Sequence, residues 1–294
     1  MRSLLPFSLA CAAICTPLAA QEPLSLRDMD ERVARVGHTL ALRNLALCQR
    51  EGRTSYWSGF LATSLAQYDR RERAAIAQQD GIQEQPTITY LVPDGAAARA
   101  GFQHGDVIAA VNGKAFPTTL PDKASYAPQS QLEAATDKAQ ARYEVLRGGK
   151  PLTINLTFDS GCRSRLTVRD TPRLNGRADG IYAEVNAGVF KLVADDDELA
   201  FFVGHEMAHN ILGHADWLDK VGRKTSHIRQ TEIAADRYSL RLMKGAGFDP
   251  AAAARFWQKV DKKFPFFILS DGTHMSDKAR TRFLAQEAAA LAAQ

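Results

Sequence analysis

The sequence predicts an α+β chain of two modules, one small and mostly β, the other mainly helical with a small sheet. Its 294 residues exceed one average domain. Residues 83–160 read as short alternating pieces punctuated by turn residues, whereas the chain beyond residue 192 shows apolar spacings of three and four. Hydrophobic residues are 45% and charged residues 24%, ordinary globular usage that excludes wholesale disorder, collagen and coiled coil. The formal net charge of +4 is spread along the chain and forms no Lys/Arg block, so nucleic acid is not an expected partner.

Taken in order, the first twenty residues read as a secretory signal. Arg2 precedes an apolar run over residues 4–20, and Leu18-Ala19-Ala20 stand before Gln21-Glu22, which predicts cleavage after Ala20 and an exported, most simply periplasmic, chain. Pro6, Ser8 and Pro17 interrupt the run, which is short for an uncleaved anchor, and no later stretch is apolar enough to span a bilayer. Ser8 and Ile14 are poor lipobox residues for Cys11 and Cys15. The remaining two cysteines, Cys48 and Cys162, could pair in an oxidising compartment; whether their Cβ atoms meet is left open.

Residues 21–82 read as an N-terminal helical segment. Leu26, Met29, Val33, Val36, Leu40, Leu42, Leu45 and Leu47 mark one helix over residues 24–49, and a second helical stretch over residues 56–79 ends in the charged run 69–73, a solvated face. The next module, residues 83–160, holds strands near 87–92, 106–111, 142–146 and 152–158. Within it stand Pro93-Asp94-Gly95, the small-residue run 96–101, Gly105-Asp106-Val107-Ile108 and the tight turn Asn112-Gly113. This segment resembles a bacterial PDZ domain of the kind found in periplasmic proteases, which implies peptide binding by strand addition to a sheet edge. The loop 81–83 ahead of its first strand carries no glycine pattern that would cradle a carboxylate, and a spacer role stays open.

The last module, residues 161–294, carries the strongest chemical signal, His205-Glu206-Met207-Ala208-His209. Two histidines four apart on a helix lie about 40° apart around its axis, so both imidazoles can meet one zinc ion, with Glu206 near the same face as a proton acceptor. The acidic residues 195–198 ahead of an apolar run predict a helix start here. A zinc with two protein ligands is one short, and Glu232 is the candidate third. Asp236 shares its helical face and would accept a ring N–H from a zinc histidine. A surface pairing of Glu232 and Asp236 with Arg229 or Arg237 is the competing reading.

These motifs, with Asn175, the segment 180–192, Asp197-Glu198-Leu199-Ala200, Thr273-His274 and Arg280, resemble the gluzincin metallopeptidases that include the CAAX prenyl protease and the heat-shock protease HtpX. The resemblance covers roughly residues 165–285. It implies a zincin-type domain with His205, His209 and Glu232 as zinc ligands, Glu206 as catalytic base, His274 as an oxyanion helper, and Arg280 as its runner-up or as an ion-pair partner. Met275 stands where that family usually has proline.

Other histidines read as bystanders. On a continuous helix His214 lies about 180° from His205, which predicts a surface or second-helix contact away from the metal. His227 sits in a polar connection, residues 220–230, where solvent exposure is expected and capping of a metal is the alternative; His38 and His104 offer nothing. The apolar run 264–269 could line a groove or touch a membrane peripherally, with core packing the default. The expectation is an exported zinc metalloendopeptidase acting on unfolded or misassembled envelope proteins; the alternative is a catalytically silent peptide-binding chaperone or adaptor using the PDZ-like domain.

Overall fold

The computed structural model describes residues 24–263 and 274–293. The expected signal segment, the apolar run 264–269 and Thr273 lie outside the described residues. The chain opens with α1 (Leu26–Arg43), started by a capping box in which Ser25 and Asp28 satisfy each other's backbone N–H groups. The one expected helix is in fact two. Asn44 breaks it before α2 (Leu45–Arg50), because its buried amide donates to the carbonyls of Leu40 and Leu242, both at 2.9 Å.

The expected second helix over 56–79 is broken up: its first part is extended, in β1 (Thr54–Trp57) and β2 (Phe60–Thr63), a 3-10 turn follows at Leu65–Gln67, and only α3 (Arg73–Asp80) is α-helical. Its aromatic residues suit a pleated surface, and their partners are distant in sequence. The charged run 69–73 is largely exposed, as a solvated face requires. Then follow β3 (Thr87–Leu91), α4 (Ala96–Arg99), β4 (Val107–Val111), β5 (Lys114–Ala115), α5 (Ala127–Ala135), β6 (Gln140–Arg147) and β7 (Lys150–Thr157). They form a six-stranded antiparallel sheet in the order β2-β3-β4-β6-β7, with β5 paired to β4 across the Asn112-Gly113 turn, both of whose residues have positive φ. Buried Phe102 and Tyr143, with partly buried Phe60 packed against both, fill the core of this sheet with Ile88, Ile108, Val145 and Leu156. The sheet thus starts well before residue 83. Its edge strand is β2, and the turn ahead of that edge is Trp57-Ser58-Gly59, with Gly59 at φ 73°, not residues 81–83.

The β-rich module is an insertion. β8 (Asp159–Cys162) returns beside β1 as an antiparallel pair, with Trp57 opposite Asp159 and Thr54 opposite Cys162. Cys48 and Cys162 are disulfide-bonded, Cα–Cα 5.2 Å, at the base of this stem. A second tie comes from α5, where Glu133 pairs with Arg165 at 3.0 Å and accepts the Tyr182 hydroxyl at 2.5 Å.

Arg165 and Tyr182 belong to the next sheet, β9 (Arg165–Arg169), β10 (Gly176–Ala178) and β11 (Tyr182–Asn186), ordered β10-β11-β9 with β10 at an edge. Beyond Asn186 the chain forms a 3-10 turn, Ala187–Lys191. Five helices follow: α6 (Asp196–Ile211), α7 (His214–Val221), α8 (Thr225–Ala246), α9 (Ala252–Lys263) and α10 (Asp277–Ala292). The expected long connection at 220–230 is only residues 222–224, since α8 begins at Thr225. None of the described helices is long and apolar enough to cross a membrane.

α6 is the central element. Asp195 caps it by accepting the Glu198 N–H, and Asp196 in its first turn holds Arg32 and Arg35 of α1 at 2.7 and 2.6 Å. Nearly every side chain from Glu198 to Ile211 is buried, against α1, α8, α9, β10 and β11. Glu198 is itself paired with Lys259 of α9.

The disulfide closes a sequence separation of 114 residues, and a loop of that size implies up to about 5 kcal/mol of stabilisation through the unfolded chain. The Cys48→Ser/Cys162→Ser variant is expected to lose roughly 2–4 kcal/mol in urea denaturation. Wild-type protein in reductant should match it; equal stability of oxidised, reduced and variant protein would remove the staple from this account.

Candidate metal centre

The site is built on α6 and α8. His205 and His209 lie one turn apart on α6, and Glu232 faces them from α8. Close approach of the two helices is permitted where Gly204 meets Ser239, since even an added Cβ would sit 3.5 Å from the Ser239 Cβ. Nε2 of His205 is 3.2 Å from Nε2 of His209 and 3.2 Å from Oε2 of Glu232, and Nε2 of His209 is 3.5 Å from Oε1 of Glu232. Tetrahedral zinc with bonds of ~2.05 Å places its ligand atoms about 3.3 Å apart, so each of these separations, the two to Glu232 running to different carboxylate oxygens, is of the size that zinc ligands require. Among the described residues these three also form a group of potential metal donors with all ligand atoms within 4.8 Å.

The second ring nitrogens are tied down. Nδ1 of His205 lies 2.9 Å from Asp236, and Asp236 is held by Arg280 of α10 through Nε at 2.8 Å and Nη2 at 2.5 Å. Arg280 is buried and lies 4.1 Å from the centre of the Trp257 ring. Its guanidinium is therefore committed to an ion pair, the second of the two roles expected for it. Nδ1 of His209 lies 2.9 Å from Nδ1 of His214. That contact corrects the expectation for His214, which is buried and touches a metal-ligand candidate. The helix does not continue: Gly213 at φ 66°, ψ 35° turns the chain, and α7 starts afresh with His214 folded back under His209.

Electrostatics follow from this geometry. Burial disfavours a charged imidazole, yet hydrogen bonds to Asp236 and Glu232 hold the His205 pKa up at about 10. Burial and the neighbouring His205 push His209 down to about 3, and burial pushes His214 down to about 4. Glu232 is buried, but bonds from His205 and His274 keep its carboxyl well below the usual range. Glu206 is buried beside this group, and burial, with Glu232 nearby, pushes its carboxyl up to about 7. Its carboxylate lies against β10: a Cβ on Gly176 would fall 2.4 Å from Glu206 Oε1, so only glycine fits there.

His274 reaches the site as well, with Nε2 3.3 Å from Oε2 of Glu232. His227 does not; it is half-buried, not solvent-exposed as expected, with its Nδ1 2.8 Å from the Gly222 carbonyl and its ring against Trp217. His38 is buried against Trp57, and His104 contacts Arg27. Sequence reasoning missed Gly176, His214 and Asn210. Asn210 is fully buried, donates to Ser164 and accepts the Gly180 N–H at 2.7 Å, fixing the turn between β10 and β11. A polar residue directly after the motif was its only signal.

Comparison with known proteins identifies one part of the chain. Residues 87–129 match the PDZ domain family, so the chain contains a PDZ domain. Among solved structures, it is similar to the HtrA-type protease AlgW with decapeptide, at 20% identity and TM-score 0.27, over 36% of this chain and 30% of that one. It is also similar to a PDZ domain protein from Parabacteroides distasonis, at 18% identity and TM-score 0.26, over 36% of this chain and 20% of that one. The chain therefore spans a third or less of those two proteins' lengths. None of the curated proteins matches it.

The Asp236–Arg280 pair gives a test independent of any metal. Breaking a buried ion pair from one side strands a charge and costs about 3–5 kcal/mol, whereas replacing both partners by apolar residues costs less. Arg280→Met is expected to lose about 3 kcal/mol in denaturation with excess EDTA, and Arg280→Met/Asp236→Leu to recover part of it. A single variant as stable as wild type would show that the pair is not buried as described.

Proposed function

We propose that the protein is a zinc-dependent endopeptidase of gluzincin type, exported to the periplasm, whose PDZ domain collects extended or unfolded polypeptide. The observation that carries this reading is the convergence of His205, His209 and Glu232, whose nearest donor atoms stand 3.2–3.5 Å apart beside a buried Glu206. The donor set fits the ion chemically: two neutral imidazoles and one carboxylate leave positions open for substrate. When bound, zinc supplies a Lewis acid that polarises a carbonyl and eases deprotonation of water.

The chain's own residues do the rest. Glu206 takes the proton of the attacking water on its carboxylate and returns it to the leaving amine nitrogen. Its pKa of about 7, raised chiefly by burial, suits a group that must both accept and donate near neutrality. Asp236, fixed by Arg280, orients the His205 ring. His274, whose Nε2 lies 3.3 Å from Oε2 of Glu232, is our candidate donor to a developing oxyanion. Substrate lies along the edge strand β10, whose Gly176 brings backbone directly to Glu206. In the PDZ domain, β2 is an edge strand available for strand addition by a second stretch of the same chain.

Two experiments test this reading. Glu206→Gln should bind one equivalent of zinc, measured by metal analysis, yet lose about 100- to 10,000-fold in hydrolysis of an unfolded protein, while Glu232→Ala should lose the zinc itself. A wild type that holds zinc but cleaves nothing, while binding peptides, would instead support the silent adaptor.

The stem geometry sets the second. Because Trp57 and Asp159 are direct cross-strand partners, an Asn-Gly turn can join them in place of residues 58–158. The excised variant, once shown to fold and hold zinc, should cleave short peptides normally and long unfolded substrates much more slowly. Unchanged cleavage of long substrates would rule out recruitment by the PDZ domain.

A further inference from the structure

We propose that His214 is a positioning residue for the metal centre: its Nδ1 accepts the Nδ1–H of His209 and so holds the bare Nε2 of His209 toward His205 and Glu232. The inference rests on reading His205, His209 and Glu232 as metal ligands, and adds a residue that this reading does not require.

The argument starts from protons. The two Nδ1 atoms are 2.9 Å apart, a distance that needs one hydrogen between them. The Nε2 of His209 faces the Nε2 of His205 at 3.2 Å and a carboxylate oxygen at 3.5 Å, the direction of a bound cation, and must present a lone pair there. A neutral ring with Nε2 bare carries its proton on Nδ1. His209 is therefore the donor, and His214 is the acceptor, with its own proton on Nε2. The ring centroids are 4.9 Å apart with the planes inclined at 77°, a separation compatible with two imidazoles joined through one nitrogen of each.

The backbone is built to make this contact. Gly213 in the left-handed region ends α6 and starts α7, and that one residue carries His214 from the far side of the helix to the underside of His209. An added Cβ at Gly213 would lie 2.7 Å from Nη2 of Arg53, and Arg53 in turn pairs with Asp216 of α7 at 3.0 Å, so the turn is enclosed. The two ligand histidines thus have different supports. His205 leans on a carboxylate whose charge Arg280 balances, and His209 leans on a neutral imidazole that adds no charge beside Glu232.

Substitutions at His214 separate support from mere packing. In His214→Asn, the side-chain oxygen takes the place of Nδ1 and can still accept. His214→Gln puts its oxygen where Nε2 stands, and His214→Leu has no acceptor. Zinc affinity, measured by competition with a chromophoric chelator, is expected to fall about 10- to 100-fold in the Gln and Leu variants and to be restored in the Asn variant. The visible spectrum of the cobalt-substituted protein should change in the same two and not in the third. Unfolding in EDTA reports the fold separately, and if the Leu variant does not fold, the Asn and Gln pair decides. Wild-type affinity and spectrum in all variants, or an Asn variant as weak as Gln, would overturn the role of His214. Failure of the wild type to bind zinc through Glu232 would instead overturn the reading beneath it.

Discussion

The Nε2 atoms of His205 and His209 lie 3.2 Å apart, with one oxygen of the Glu232 carboxylate 3.2 Å from the first and the other oxygen 3.5 Å from the second, and electron-pair donors so placed in a largely buried setting repel unless positive charge lies between them. Much of the helical module can be understood as holding that arrangement. The proposed assignment puts an Nδ1 proton on each ring, held by Asp236 and His214, and so leaves the inner nitrogens bare for a cation. Asp236 is fixed in turn by Arg280, whose flat guanidinium lies over Trp257 of α9. Helices α6, α8, α9 and α10 thus all contribute to one polar chain, and the apolar core packed around it excludes the water that would otherwise weaken it. Without an ion, the same carboxylates demand a proton on His205, which is why its pKa rises while that of His209, one turn away, falls.

The second constraint is mechanical. An inserted domain that hung from two single strands would sample many orientations. This one leaves and re-enters through a paired stem, β1 with β8, and the disulfide fixes that stem to α2. Trp57 covers the joint, its indole N–H donating to the Cys162 carbonyl at 2.9 Å. Further from the stem, Arg27 of α1 reaches the Thr89 carbonyl and His104, and Glu133 holds Arg165 and Tyr182.

What the sequence made legible follows from the range of each signal. A helix repeats every 3.6 residues, so His205, Glu206 and His209 could be assigned to one face of α6, and Glu232 and Asp236 to one face of α8, from spacing alone. The turn residues of the β-rich module, Asn112-Gly113 among them, are equally local and mark its strands. β1 and β2 were hidden because their register is set elsewhere: Thr54–Trp57 is defined by β8, about a hundred residues on, and Phe60–Thr63 by β3. The break at Asn44 was hidden because its partner, the Leu242 carbonyl, lies on another helix. His214 was misplaced by one residue's backbone. The periodic argument is sound for as long as a helix continues, and a single left-handed glycine reverses its answer. Gly176 was invisible for a different reason: a three-residue edge strand has no periodicity to read, and its constraint comes from Glu206, thirty positions away.

The fixed stem and the contacts at Glu133 bear on how the two candidate sites could serve one substrate. For sites joined by a flexible linker, effective concentration depends on linker length and falls off slowly, so substrates of many lengths benefit. Here α5 rests on β9 and β11, and β10, the neighbour of β11, supplies the backbone beside Glu206. The PDZ domain and the metal centre therefore share one sheet as a common reference, and the path between them is set by the fold. Under the proposed function, a polypeptide engaged at β2 gains little at the metal centre unless its free length matches that path. The same rigidity gives a physical basis for sparing folded proteins, because a compact domain cannot offer an extended segment at both places.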